Sequence, residues 1–343
     1  MSVQYIGKQS ICFNNPPKIL CGGCVAGEKE SQGPLGQGQY GNTFDEVVMD
    51  PMCGKNSWEE AESELQYMAS NIAIEKSGLK KENIRYIFAG DLLGQNMATS
   101  FGVGSLGIPL FGLYGACSTM GESLCLAAMT ISGGFASHAM AVASSHFASA
   151  EKTFRFPLGY GSQRKMSATW TVTGSGAVIL SDTSGFAKIT AITPGKIIDY
   201  DFKDKENMGA AMAPAAADTI YHHLTDLGIK ANHYDKIITG DLGYVGQTIL
   251  IDLLKEKDID ISKVHMDCGI EIFDKETQDT HSGGSGCGCS AVVLCGHLFN
   301  LLKRKKLKKI LFIPTGALLS PSSSNEGLSI PSIAHAVAIE ADS

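Results

Sequence analysis

Charge is scarce in this 343-residue chain: Asp, Glu, Lys and Arg together make up 18% of it. Arginine is rarer still, with only Arg85, Arg155, Arg164 and Arg304. The balance is acidic, at −7, which argues against a nucleic-acid partner, because phosphate binding needs a basic surface. An unbroken apolar run of ~20 residues is also missing, so no segment reads as a transmembrane helix. Met1 to Ile11 lacks a charged-then-apolar leader, so no signal peptide is expected. With 44% apolar residues the chain is not disordered, and its length supports a large core without metal or disulfide staples. The ten cysteines are scattered. Cys21-Gly-Gly-Cys24 is the one C-x-x-C, and Cys287-Gly-Cys289 does not complete a four-ligand zinc site. They read as free, buried thiols of a reducing compartment, with no metal or cofactor implied.

What charge there is avoids two stretches. Between Asp91 and Glu151 the sole charged side chain is Glu122, and from His281 to Leu302 there is none. Glycines and Pro109 interrupt the first, and Gly283-Gly-Ser-Gly286 opens the second. Cys117 to Ser132 and Cys289 to Leu302 are predicted as helices apolar round most of their circumference. Such helices belong in the middle of a large protein.

The chain also repeats itself. Gly78-Leu-Lys-Lys-Glu-Asn-Ile-Arg-Tyr-Ile-Phe-Ala-Gly-Asp-Leu92 aligns without gaps on Gly228-Ile-Lys-Ala-Asn-His-Tyr-Asp-Lys-Ile-Ile-Thr-Gly-Asp-Leu242. A helix precedes each copy. The first opens on a capping box, Ser57 with Glu60, and carries Ala61, Leu65, Met68 and Ile72 inward. The second is a shorter helix, Ala217 to Leu227. Gly78 and Gly228 sit where a left-handed C-cap is expected. Strand-like runs, Thr171 to Leu180 and Ile333 to Ile339, close the two copies. The expected architecture is therefore α/β, in two similar halves, 1–183 and 184–343, each with a sheet and one helix buried between the sheets. The division near Ser181 to Gly185 is a turn within one body.

These features resemble the thiolase-like superfamily, whose fold is a duplicated αβαβα sandwich with one buried helix per half. A reactive cysteine heads the first buried helix there, matching Cys117 in Tyr114-Gly-Ala-Cys-Ser118. Several motifs resemble one family more closely, that of stage V sporulation protein AD. They include Gly90-Asp-Leu-Leu-Gly-Gln-Asn96, Ser144-Ser-His146, Val172-Thr-Gly-Ser-Gly-Ala-Val178, Met212-Ala-Pro-Ala-Ala-Ala-Asp-Thr219 and Thr315-Gly-Ala-Leu-Leu-Ser-Pro321. The resemblance implies a non-enzymatic dipicolinate-binding member of the SpoVA assembly, peripheral on the cytoplasmic side of the forespore or spore inner membrane. Its partners would be dipicolinate, the SpoVA membrane proteins and calcium travelling with the ligand. The superfamily mostly forms dimers through its sheets, so a homodimer is a further expectation.

The alternative is an acyltransferase or condensing enzyme using Cys117. A helix N-terminus is suited to lowering a thiol's pKa. Acyl transfer also needs a base and an oxyanion site, which the superfamily supplies as His with Asn, or two His, on loops of the second half. Here those slots read Thr239-Gly-Asp-Leu-Gly243, with Asp241, and Ser282-Gly-Gly-Ser-Gly286. The thiol is then a vestigial nucleophile. His146, His281, His297 and His335 are the candidates to substitute.

For a flat dianion, the helix starts at Cys117-Ser118-Thr119 and Cys287 to Ser290 offer backbone donors, and Ser118 and Ser285 offer hydroxyls. Arg155 is the candidate carboxylate clamp, or else an ion-pair partner of Glu151. Asp91 and Asp241 hold equivalent places at strand ends. They either cap the following turn or line the pocket, and two carboxylates alone make a poor calcium site. Asn96 bonds ligand or closes its loop. Lys303-Arg-Lys-Lys-Leu-Lys-Lys309 reads as a solvated helix end or as contact with anionic lipid. A third reading makes the chain an adaptor for membrane partners with a vestigial pocket.

Overall fold

Five strands from each half of the chain make up most of one continuous sheet in a computed structural model that describes residues 3–37, 41–153 and 164–342. The first five are β1 (Lys18–Gly27), β2 (Tyr86–Gly90), β3 (Leu110–Gly112), β4 (His138–Ser145) and β5 (Gly174–Ser181). The second five are β6 (Ala187–Thr193), β7 (Lys236–Thr239), β8 (His265–Asp267), β9 (Lys309–Ile313) and β10 (Ala336–Ala341). In space they run β3-β2-β4-β5-β1 and, continuing, β6-β10-β9-β7-β8. Each half thus orders its strands third, second, fourth, fifth, first. In each, the second strand is parallel to its neighbours and the fifth antiparallel. β1 and β6 join the halves through two antiparallel pairs, Ile19 with Ala187 and Lys18 with Lys188. The segment holding the 183/184 division is the connection from β5 to β6.

Alternation along the strands sorts side chains into layers. Along β9, Ile310 and Phe312 face the central core, while Leu311 and Ile313 face outward. The central core packs Met120 and Leu124 of helix α2 (Thr119–Ser132) with Val292, Leu298 and Phe299 of the second buried helix. Outside the strands of the first half, α1 (Trp58–Ser77) lays Leu65, Ala69 and Ala73 on Ile87, Met140 and Ile179. Outside those of the second, α3 (Met208–Leu227) and α4 (Gly243–Lys255) lay Met212, Ile220, Leu224, Leu250 and Leu254 on Ile237 and Leu311. The result is a five-layer αβαβα sandwich. Among the described residues no helix is long and apolar enough to cross a membrane.

The local signals act with some shifts. Ser57 Oγ accepts the Glu60 N–H at 3.2 Å, but the Glu60 carboxylate returns to Asn56 N–H rather than to Ser57. Gly78 and Gly228 both take the left-handed conformation, with φ of 68° and 65°. The expectation of a short second helix fails: α3 begins at Met208, nine residues before Ala217, capped by Asn207, and Pro214 does not end it. Alanine's helix propensity and complete burial of this run carry the helix through. The second buried helix begins at Cys287 rather than Cys289. It runs as Cys287–Val292, then a wide π turn over Val293–Leu298, then Phe299–Lys303. The run closing the second half is broken at His335, between Ser332–Ala334 and β10.

Candidate functional site

Cys117 lies in a 3-10 turn, Ala116–Ser118, that leads into α2. Ala116 has φ of 49°, a left-handed conformation that a side chain adopts at a cost. Local bonds hold the turn: Ser118 Oγ donates to Gly115 O at 2.6 Å, and Thr119 Oγ to Ala116 O at 2.6 Å. The strand Thr315–Ala317 presses on it so closely that a Cβ on Gly316 would lie 2.2 Å from Gly115 O.

Beside the thiol is Asp241, at the end of β7 and fully buried. One of its oxygens accepts Gly286 N–H at 2.9 Å and the other accepts the Thr315 hydroxyl at 2.8 Å. The Cys117 thiol lies beside it on the same cavity wall. Burial pushes this carboxyl up to about 7 despite those bonds. The same burial, with the carboxylate next to it, raises the Cys117 thiol well above its ordinary value. The helix N-terminus does not offset burial at this thiol, and its nearest titratable neighbour is an acid and not an imidazolium. Second-helix donors are engaged as well, Gly286 N–H with Asp241 and Gly288 N–H with Ser145 Oγ at 3.1 Å.

Cys117 and Asp241 face a cavity of about 70 Å3 that Ser285, Thr171, Tyr114 and Met208 also line. Ser285 is placed there by a short parallel pairing of Gly284–Ser285 with Trp170–Thr171. Leu92, Ala150, Ala317 and Leu319 add apolar wall, and Thr153 a further hydroxyl-bearing side chain.

The other candidates lie elsewhere. Asp91 is buried outside the lining, with one oxygen on Leu93 N–H at 2.7 Å and the other on Thr99 N–H and hydroxyl at 2.7 and 2.6 Å. It caps its own loop. Asp241 escapes that duty because Asp267, from β8, takes Leu242 N–H and Gly243 N–H instead, at 2.9 and 3.1 Å. Asn96 occupies the N-cap position of the short helix Met97–Gly102 in a left-handed conformation, without a side-chain capping bond, and does not line the cavity. Ser118 is buried in its turn. His146 turns away: its Nε2 meets Pro51 O at 2.8 Å and its Nδ1 accepts Ala148 N–H at 3.1 Å. His335 accepts Gly195 N–H at 3.2 Å and is pushed down to about 4 by burial. His281 meets Lys165 O at 2.8 Å, and His297 is buried. Arg155 lies outside the described residues. Thr315, Tyr114 and Met208 escaped sequence reasoning, although Thr315 opens one of the motifs quoted above. Glu62 escaped it too. It is buried behind the site, accepts Ser144 and Ser149 hydroxyls at 2.9 and 2.6 Å, and is pushed by burial up to about 8.

A cysteine turn heading one buried helix, faced by a strand-end residue and by the loop before the other buried helix, defines the thiolase-like class. Solved structures agree on the fold. The 3-oxoacyl-[acyl-carrier-protein] synthase III of Aquifex aeolicus VF5 superposes with a TM-score of 0.58 at 14% identity, covering 94% of this chain and 99% of that one. The synthase III of Pseudomonas aeruginosa PAO1 gives 0.57 at 13%, covering 96% and 99%. Within that class the chain belongs to the stage V sporulation protein AD (SpoVAD) family, whose model matches residues 7–340. It is 45% identical over 334 residues to stage V sporulation protein AD of Bacillus subtilis (strain 168), covering 97% of each.

Proposed function

We propose that the chain binds dipicolinate at the Cys117 cavity without chemical turnover, and serves the SpoVA assembly in moving it into the developing spore. The observation that carries this reading is Asp241, a buried carboxyl set beside the Cys117 thiol where a condensing enzyme needs a base. A protonated thiol beside a carboxyl is a poor acyl acceptor. The same carboxyl, near neutrality, carries the proton that lets a dicarboxylate approach and receive a hydrogen bond. Ser285 adds a hydroxyl, and Arg155, two residues after the cavity-lining Thr153, is the proposed clamp. Calcium travels with the ligand in this reading.

Docking at the membrane falls to the basic run. Lys303, Arg304, Lys305, Lys306 and Lys308 are exposed, on a face suited to anionic lipid or to the SpoVA membrane proteins. A homodimer would pair the β3 edges, where Leu110 and Phe111 are exposed at 39% and 52%.

Calorimetric titration with dipicolinate, with and without calcium, tests the reading. Saturable binding weakened by Ser285→Ala supports it. The absence of heat in both conditions, or a stable acyl adduct on Cys117 from an acyl thioester, overturns it.

A further inference from the structure

Both tryptophans of the chain line a single cavity, and it is not the one at Cys117. It measures about 390 Å3 and opens between the start of α1, the segment after β1 and the segment after β4. The two cavities share a wall. Helix Phe147–Glu151 gives Ala150 to the Cys117 cavity but Phe147 and Ala148 to this one. The strand Trp170–Thr171 gives Thr171 to the former and Trp170 to the latter, because successive strand residues point to opposite sides.

Its walls are aromatic and apolar. Phe147 stacks on Trp170 at 4.0 Å between centroids, and the His146 ring lies 5.4 Å from Trp58. Accepting Ala148 N–H at Nδ1 makes His146 a neutral imidazole here. Val48 and Leu65 complete the apolar lining. One cation belongs to it: Lys29 Nζ sits 4.4 Å from the Trp170 centroid. A lysine ammonium has three donors, and Lys29 gives one to Gln278 O at 2.6 Å. Arg164 also approaches Trp170, at 4.9 Å, but Asp279 holds its guanidinium at 3.0 Å. Two carboxyls also line it: Glu30 is buried and accepts Thr173 N–H at 2.9 Å, and Glu28, at the exposed rim, accepts Gln32 Nε2 at 3.1 Å.

The unused ammonium donors of Lys29, set beside aromatic side chains, select the occupant. A cationic aromatic would meet Lys29 and Arg164 on the ring it needs. An anion with an aromatic body gains the indole walls and the remaining ammonium donors together. We infer that this cleft is a second binding site, for a small planar aromatic carboxylate, formed by Trp58, Trp170, Phe147 and Lys29. Dipicolinate is one member of that class, so the probe must be one that separates the sites.

Because the cleft contains both tryptophans, their emission reports on it directly. The full chain is titrated with benzoate, with cyclohexanecarboxylate and benzylammonium as controls for ring and charge. The expected result is saturable change with benzoate, weaker by roughly tenfold in Lys29→Met, as loss of a charge-assisted bond implies. Lys29→Arg restores binding, and Cys117→Ala leaves it unchanged. Equal responses to benzoate and benzylammonium, no saturable response to benzoate, or unchanged affinity in a folded Lys29→Met protein would overturn the assignment.

Discussion

Replacing Asp241 with asparagine should change how stability depends on pH, and the size of the change follows from its surroundings. The carboxyl is pushed up to about 7 in the folded protein, against an ordinary value of about 3.8. Burial is the main cause. Its hydrogen bonds from Gly286 and Thr315 pull the other way without cancelling it. A raised acid binds its proton more tightly folded than unfolded. Its contribution is therefore complete below about pH 4 and is lost as pH rises through about 7, at ~1.4 kcal/mol per pH unit. Over the whole window the loss approaches about 4 kcal/mol. Asparagine keeps the geometry, since its oxygen takes Gly286 N–H and its amide donates to the Thr315 hydroxyl. It has no proton to lose. Urea unfolding of both proteins at about pH 5 and about pH 7 should shift the difference by about 2 to 3 kcal/mol in favour of Asp241→Asn at the higher pH. Glu30 and Glu62, which burial also raises, act alike in both proteins and cancel. A difference that stays constant across that range would refute the reasoning.

The same pairing predicts that Asp241→Asn speeds alkylation of Cys117 above neutral pH, read by peptide mass spectrometry, because the acid that raises the thiol is gone. Gly316→Ala should destabilise the fold by about 1 to 3 kcal/mol and impair dipicolinate binding, since its Cβ would meet the backbone of the Cys117 turn at 2.2 Å. Denaturant midpoints and calorimetry would read the two effects. Glu62→Gln should be nearly neutral at pH 7, where the native carboxyl holds its proton, whereas Glu62→Ala strands two buried hydroxyls and costs about 1 to 3 kcal/mol. Lys305→Glu with Lys306→Glu should weaken sedimentation with anionic vesicles by ~1 kcal/mol or more per charge while leaving thermal stability within error.

How much of this was legible in the sequence depended on the range of the contacts involved. The repeat was visible because helix, left-handed glycine, strand and Gly-Asp are local features, and both copies fold alike at Gly78 and Gly228. The fate of the two aspartates was not. Asp91 is bonded by its own loop, two and eight residues on, whereas Asp241 is reached by Gly286 and Thr315, 45 and 74 residues away. Equivalent positions in a repeat thus acquire different roles through partners that no local pattern reveals. His146 shows the same limit. It follows directly on β4, and only the packing of Trp58 and Pro51 decides that its ring leaves the Cys117 cavity. The start of α3 was missed for a different reason. Pro214 reads as a helix breaker, and the alanines around it, buried from Ala211 to Ala217, carry the helix past it.

The central claim is that dipicolinate occupies the cavity at Cys117 and leaves the thiol unmodified. Protection of Cys117 from iodoacetamide, followed by peptide mass spectrometry across a dipicolinate titration, tests it most directly. The account predicts that protection rises with the calorimetric binding curve, that the thiol is recovered intact once ligand is removed, and that Ser285→Ala shifts both curves together. Calorimetric binding with no change in the alkylation rate of Cys117 would contradict it and place the ligand elsewhere on the protein.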